Sequence, residues 1–180
     1  MSHARRKRID SILDQNGLVE HKWIDPLKIV ISQWVRFKCM FGCGDYGGAS
    51  CPPHVPSINE CRAFIHEYRR AVMIRFTKTS SDPAERNEWA KQSNLTMLKV
   101  EKEIFVDGYP KVFLLMMSTC NLCVSCVKDR TRCKNPRQSR PTPEGLGIDV
   151  FATAKKYRFP IKVLRDHSEE MNRYALLMID

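Results

Sequence analysis

Long apolar runs are what this sequence most lacks. Val112–Met117 is a stretch of six, far short of the about 20 residues a membrane-spanning helix needs, so no membrane partner is expected. The opening Met-Ser-His-Ala-Arg-Arg-Lys-Arg has the positive start of an export signal without the apolar segment behind it, and the expectation is a cytoplasmic protein. No repeat of fixed period and no low-complexity tract interrupts the chain. It also has no glycine-rich phosphate loop, no Ser-His-Asp set and no carboxylate pair that the sequence forces together. His21, His66 and His167 fall into no grouping and read as surface or satisfied core residues.

What is present bounds the fold. At 180 residues, 43% hydrophobic and 28% charged, the chain has the length and composition of one folded domain, 1–180, able to bury a core without disulfide staples. Its net charge is +10, which admits nucleic acid or an acidic protein as partner. Eight cysteines in a chain read as cytoplasmic point to metal, because a reducing compartment keeps thiols available as ligands.

Four of the eight lie within fourteen residues, Cys120-x2-Cys123-x2-Cys126-x6-Cys133. Two intervening residues let each thiolate reach a different corner of an iron–sulfur cubane. Zinc also favours Cys-x2-Cys, but its second pair normally sits on a separate knuckle a dozen or more residues away. A middle cysteine shared by two overlapping pairs therefore favours iron–sulfur, with zinc as the alternative. In two-cluster ferredoxins the fourth cysteine of such a run serves the other cluster, so Cys133 is a candidate to cross over.

A second candidate loop holds Cys39, Cys43 and Cys51 among Gly42, Gly44, Gly47 and Gly48, and leaves through Pro52-Pro53. Glycines permit positive φ and let backbone amides approach an anion. His54 follows the prolines and reads as an ordinary hydrogen-bonding histidine. Cys61 falls on the apolar stripe of the next helix but within one turn of its start, so it is either core or an eighth ligand.

Read in order, residues 1–20 form a basic N-terminal segment with a helix over 4–15, whose Arg5, Arg6, Lys7 and Arg8 read as a solvated run. A strand is expected over 27–37, where β-branched and aromatic residues crowd. Ser57-Ile58-Asn59-Glu60 fits a capping box opening a helix with Ile58, Cys61, Ile65 and Tyr68 on one face. A strand over 71–76 follows. Asp82-Pro83 starts a helix to Asp107 that turns Trp89, Leu95, Leu98, Ile104 and Phe105 inward. Then come a strand over 111–117, a helix capped by Thr142 and opened by Pro143, and strands over 160–165 and 173–179. The sum is an α/β or α+β fold with a sheet of about five strands, flanking helices and two cysteine-rich metal loops at strand ends. Lys128, Arg130, Arg132, Lys134, Arg137 and Arg140 form a basic patch around the later cysteines, suited to neutralising a cluster or steering an acidic electron-transfer partner. No aromatic residue interrupts it to stack on a base, which disfavours RNA.

Lys-Cys-x3-Cys-x2-Tyr-Gly-x3-Cys-Pro-Pro at 38–53, Cys-x-Leu-Cys-x2-Cys at 120–126, Cys-x2-Pro at 133–136 and Arg-Pro-x2-Glu-x2-Gly-Ile-Asp-Val at 140–150 together resemble a family of small cysteine-rich predicted metal-binding proteins of anaerobic bacteria and archaea, catalogued as a domain of unknown function. The similarity runs from about Leu27 to the end. Where the family has Arg-Pro-Ser-Met-Glu, this chain has Arg-Pro-Thr-Pro-Glu, a change that a capping position tolerates. The resemblance implies a metal, held by cysteines 39, 43, 51, 120, 123, 126 and 133, and no particular reaction. Two cubanes need eight thiolates, a number reached only if Cys61 is counted. Three readings follow: an electron-transfer protein with one or two 4Fe-4S clusters, an enzyme working through the open iron of a three-cysteine cluster in sulfur or reductive chemistry, and a zinc-stabilised module binding RNA or protein.

Overall fold

The computed structural model describes residues 3–166 and 168–180. His167 and the first two residues of the basic N-terminal segment lie outside the described residues. Along the chain come helix α1 (His3–Gln15), strand β1 (His21–Ile24), helices α2 (Gln33–Gly42) and α3 (Ile58–His66), strand β2 (Ala71–Lys78), helix α4 (Pro83–Val106), strand β3 (Phe113–Leu115), helix α5 (Val150–Lys156) and strand β4 (Met171–Met178).

Among the described residues the strands form one sheet in the order β1-β2-β4-β3, antiparallel throughout. Mixed helix and sheet is as the sequence implies, with four strands where about five were expected. Register makes the sheet two-sided, because successive residues of a strand face opposite ways. Val72 pairs with Leu177 and Leu177 with Leu114, a row that meets α1 and α4 in one apolar core. The next row, Met73, Leu176 and Leu115, lies in a second core with Ile65 of α3 and Ala154 of α5. Both faces of the sheet are thus covered.

Three local expectations need correction. The run 27–37 is no strand: Pro26–Lys28 is a 3-10 turn, Ile29 and Ile31 are buried in the second core, and α2 starts behind Ser32. Propensity pointed to a strand, and tertiary packing decided otherwise. Asp25, whose side chain accepts from the Leu27 amide at 3.0 Å, is the same Asp-Pro signal that correctly marked α4. Residues 160–165 likewise form no strand. The expected helix at 142 is a single 3-10 turn, Glu144–Leu146, with Pro143 at its cap position and Thr142 accepting from the Gly145 amide at 3.0 Å, and α5 begins only after Asp149. The capping box of α3 forms as read, Ser57 and Glu60 each accepting from the other's backbone amide. Arg6 and Arg8 are exposed, as read, while Arg6 lies over Trp23 and Arg8 pairs with Asp107. His21 bonds Leu18 and Asp10.

The 3-10 turn is pinned by Gly147. Its φ is 83°, and an added β-carbon would stand 2.8 Å from Ile58 of α3. Gly147→Ala would bring left-handed strain of about 1–2 kcal/mol and overpacking of about 1–3 kcal/mol. The expected result is a thermal midpoint lower by on the order of 10 °C; an unchanged midpoint would show that this corner is not close-packed.

Candidate metal centre

The first cysteine segment follows a helix, not a strand end. Cys39 lies on α2 and Cys43 just after it, and α2 is held in place from its buried side: the Ser32 amide donates to the Gly147 carbonyl at 2.8 Å, and Arg36 Nη1 donates to the Gly145 carbonyl at 2.9 Å. Beyond it the chain folds tightly, with the Gly47 amide reaching the Pro52 carbonyl at 2.8 Å and the Cys51 amide the Gly48 carbonyl at 2.9 Å. At Gly48 a β-carbon would stand 3.1 Å from the Asp45 carbonyl oxygen, so glycine is what lets the chain fold this closely back on that carbonyl. The later segment leaves β3 as expected. The Met116 amide donates to the Pro141 carbonyl at 2.9 Å, bringing entry and exit of that loop side by side.

The two segments meet. Thr119 Oγ1 donates to Asp45 Oδ2 at 2.9 Å, and the Ala49 amide of the first segment donates to Cys126 Sγ of the second at 3.4 Å. Cys120, Cys123, Cys126 and Cys133 surround one cavity of about 70 Å³, with Cys51 and Lys128 also in its wall. A water molecule needs roughly 10–15 Å³ by the same measure, so the space exceeds that of one small ion. Donors already point at the sulfurs: Asn135 Nδ2 reaches Cys123 Sγ at 3.0 Å, and the Lys128 amide reaches Cys126 Sγ at 3.5 Å. Among the described residues no three His, Cys, Asp or Glu side chains converge on a single point that would hold one ion. All eight thiols are free.

Cys39, Cys43 and Cys51 line a second, larger cavity of about 430 Å³, so Cys51 stands in the wall between the two. Cys61 lines neither. It is 2% exposed, packed in the second core with Ile65 and Tyr68, and its Sγ donates to the Pro56 carbonyl at 3.4 Å. His54 lines neither cavity, and its amide donates to the Cys51 carbonyl at 2.8 Å.

Burial raises the pKa of the thiols of Cys39, Cys51 and Cys120. It pushes the Cys51 thiol up to about 12, with the nearby charges of Asp45, Cys43, Cys39 and Cys120 adding to the shift. It also raises Cys39, helped by Cys43 and Glu144, and raises Cys120, where the Leu122 amide and Ser50 offset part of the effect. A raised thiol is protonated at neutral pH, so a metal must displace its proton. The neutral thiols favour the folded metal-free chain below their ordinary value of 9.0, a contribution lost as pH rises towards about 12 for Cys51. Metal uptake should therefore strengthen from pH 6 to pH 8 by at least about tenfold in chelator competition. A flat profile would show that these thiols are not the ones that bind.

The basic patch is partly committed within the chain. Arg140 pairs with Glu101 at 3.0 Å, Arg132 with Asp129 at 2.9 Å, and Arg130 Nη2 donates to the Pro136 carbonyl at 3.0 Å. Lys128, Lys134 and Arg137 remain exposed around the later cysteines. Among the described residues no helix is long and apolar enough to cross a membrane.

Comparison with curated proteins and with solved structures gives no match. A family model described as "Predicted metal-binding protein (DUF2284)" matches residues 22–179, nearly the whole chain, with all eight cysteines inside the matched region. The chain belongs to this predicted metal-binding family.

Proposed function

We infer that the chain is an iron–sulfur protein whose main site, formed by Cys120, Cys123, Cys126 and Cys133, holds a 4Fe-4S cluster and serves electron transfer. The observation that carries this reading is the single cavity that all four thiols border, with amide donors from both segments aimed at their sulfurs. The donor set fits the group. Soft thiolates suit iron–sulfur chemistry, and thiols spread around a space match a cluster, in which each cysteine takes a different iron, better than a lone zinc, which draws its sulfurs to about 2.3 Å from one point. When bound, such a cluster supplies one-electron transfer at a potential tuned by hydrogen bonds to its sulfurs.

The chain's own residues do the rest. Asn135, Ala49 and Lys128 stabilise thiolate charge on Cys123 and Cys126 through N–H donors. Lys128, Lys134 and Arg137 offer an acidic redox partner a positive approach. Cys39, Cys43 and Cys51 would hold a second metal group, and with Cys61 in the core that site would supply three thiolates beside the larger cavity. That arrangement suits substrate binding beside the electron-transfer site. Eight free thiols support the reading of a reducing compartment.

Protein purified without oxygen is expected to be brown, with about eight irons and matching acid-labile sulfide per chain if both sites fill and about four if only the later one does. Colourless protein containing zinc would overturn the reading.

A further inference from the structure

The cavity beside Cys39, Cys43 and Cys51 is larger than three thiols need. At about 430 Å³ it falls in the range of roughly 300–1,000 Å³ typical of small-molecule sites. Its wall is mostly apolar, with Trp34, Met117, Ile148 and Phe151 among the lining residues. Five charged residues interrupt that wall, Lys38, Asp45, Glu144, Asp149 and Arg173, and of these Glu144 and Arg173 are opposite in sign and lie in each other's field. Arg173 of β4 donates one N–H to Ser118 Oγ at 2.8 Å and lies 5.8 Å from the Trp89 ring centroid, which leaves further donors of its guanidinium uncommitted. Glu144, in the 3-10 turn, is exposed and lines the cavity, with a hydrogen bond from Thr142 to its carboxylate. No ion pair within 4.0 Å joins it to Arg173.

The other acids on the wall are already used. Asp45 accepts from Thr119 Oγ1 at 2.9 Å, and Asp149 caps α5 by accepting from the Ala152 amide at 2.8 Å. Of the two cations Lys38 is exposed on α2 and Arg173 is half-buried, so Glu144 and Arg173 are the opposite charges set against the apolar wall. A simple anion entering it would face Glu144, and a simple cation would face Arg173; an unmatched charge in such surroundings costs more than one good contact returns. A ligand that carries both charges on a small apolar frame satisfies both poles at once.

We propose that this cavity binds a free α-amino acid with an apolar side chain, its carboxylate on Arg173 and its ammonium group on Glu144. The orientation rests on the reading of Cys39, Cys43 and Cys51 as a metal site: Cys39 Sγ lies 3.9 Å from the Glu144 carbonyl oxygen, so the amino end sits on the side of the cysteines. The ligand pocket itself does not depend on that reading. Asn172, whose side-chain oxygen accepts from Arg75 Nε, also lines the cavity.

The test is calorimetric titration of the anaerobically purified protein with L-leucine and L-phenylalanine, and with 3-phenylpropionate and phenethylamine, which lack the amino and the carboxyl group respectively. At least one amino acid is expected to bind, and both phenylalanine analogues are expected to bind at least about tenfold more weakly than phenylalanine, a difference of about 1.4 kcal/mol. Arg173→Met should erase the preference over the amine, and Glu144→Gln the preference over the acid. Should either variant fail to fold, the analogue series on the unaltered protein decides alone. Failure of both amino acids to bind, or an analogue binding as tightly as phenylalanine, overturns the proposal. Iron measured on the same samples separates the two readings. Iron-loaded protein that binds no amino acid refutes the ligand and leaves the cluster reading intact, whereas iron-free protein that binds phenylalanine with the expected preferences upholds the ligand and refutes the clusters.

Discussion

The Cys123→Ala variant, purified without oxygen, is expected to lose the irons of the later site, about four per chain, with the electron paramagnetic resonance signal of that cluster. Cys61→Ala is expected to keep every iron. Cys123 borders the cavity shared with Cys120, Cys126 and Cys133, and its sulfur already receives the Asn135 amide at 3.0 Å, so removing it takes away one of four ligands. Cys61 is 2% exposed among apolar neighbours and borders neither cavity, so its loss should cost stability alone, about 1 kcal/mol. The two variants discriminate because each has a different way of failing. Full iron in Cys123→Ala would remove the assignment of the later site. A missing cluster in Cys61→Ala would make Cys61 the eighth thiolate.

How far the sequence discloses this arrangement depends on whether local chemistry or packing decides each element. The capping box at Ser57 and the Asp82-Pro83 start of α4 were legible because they satisfy backbone donors within a few residues. The grouping of the later cysteines was legible for the same reason, since short spacing leaves a loop little choice. The first cysteine segment was misplaced at a strand end because its preceding residues, 27–37, carry strand-forming side chains that packing against the 3-10 turn at Glu144–Leu146 folds into a turn and a helix. No local signal says that Cys39 lies on a helix. The meeting of the two cysteine segments is a matter of contacts such as Ala49 to Cys126 and Thr119 to Asp45, between residues more than seventy apart.

Helix α4 shows the same limit more sharply. Its inward face was read from bulky apolar residues, yet Leu95 and Phe105 are exposed, and the buried face includes Ala90, Asn94, Met97, Glu101 and Ile104. Their spacing of three and four is regular, but two of the five are polar, and polarity hid them. Those two hold the later cysteine segment. Asn94 Nδ2 lies 3.4 Å from the carbonyl oxygens of both Ser118 and Thr119, just before Cys120, and Glu101 grips the segment's far end through Arg140. The residues a pattern of apolar side chains passes over are thus the ones that tie the site to the sheet.

Glu101→Ala should accordingly be among the most damaging substitutions outside the cysteines. Glu101 is 6% exposed, and one carboxylate oxygen accepts from the Leu114 amide of β3 at 2.8 Å and from Arg140 Nε at 3.0 Å. Truncation leaves a buried amide without its acceptor and a guanidinium without its counter-charge, a loss of about 3–5 kcal/mol, or on the order of 10 °C in thermal midpoint for a chain of this size. Glu101→Gln keeps an acceptor for the Leu114 amide while losing the charge, and should fall between. The same guanidinium donates to the carbonyls of Arg137 at 2.9 Å and Ser139 at 3.3 Å, and Cys133 Sγ lies 3.7 Å from Ser139 Oγ. Loosening Arg140 therefore loosens the frame of the fourth thiol, and chelator should strip iron from the later site faster in Glu101→Ala, with the Cys39, Cys43 and Cys51 site as the internal control. A lowered midpoint with an unaltered rate of iron loss would show that the cysteine loop is held by its metal and not by α4.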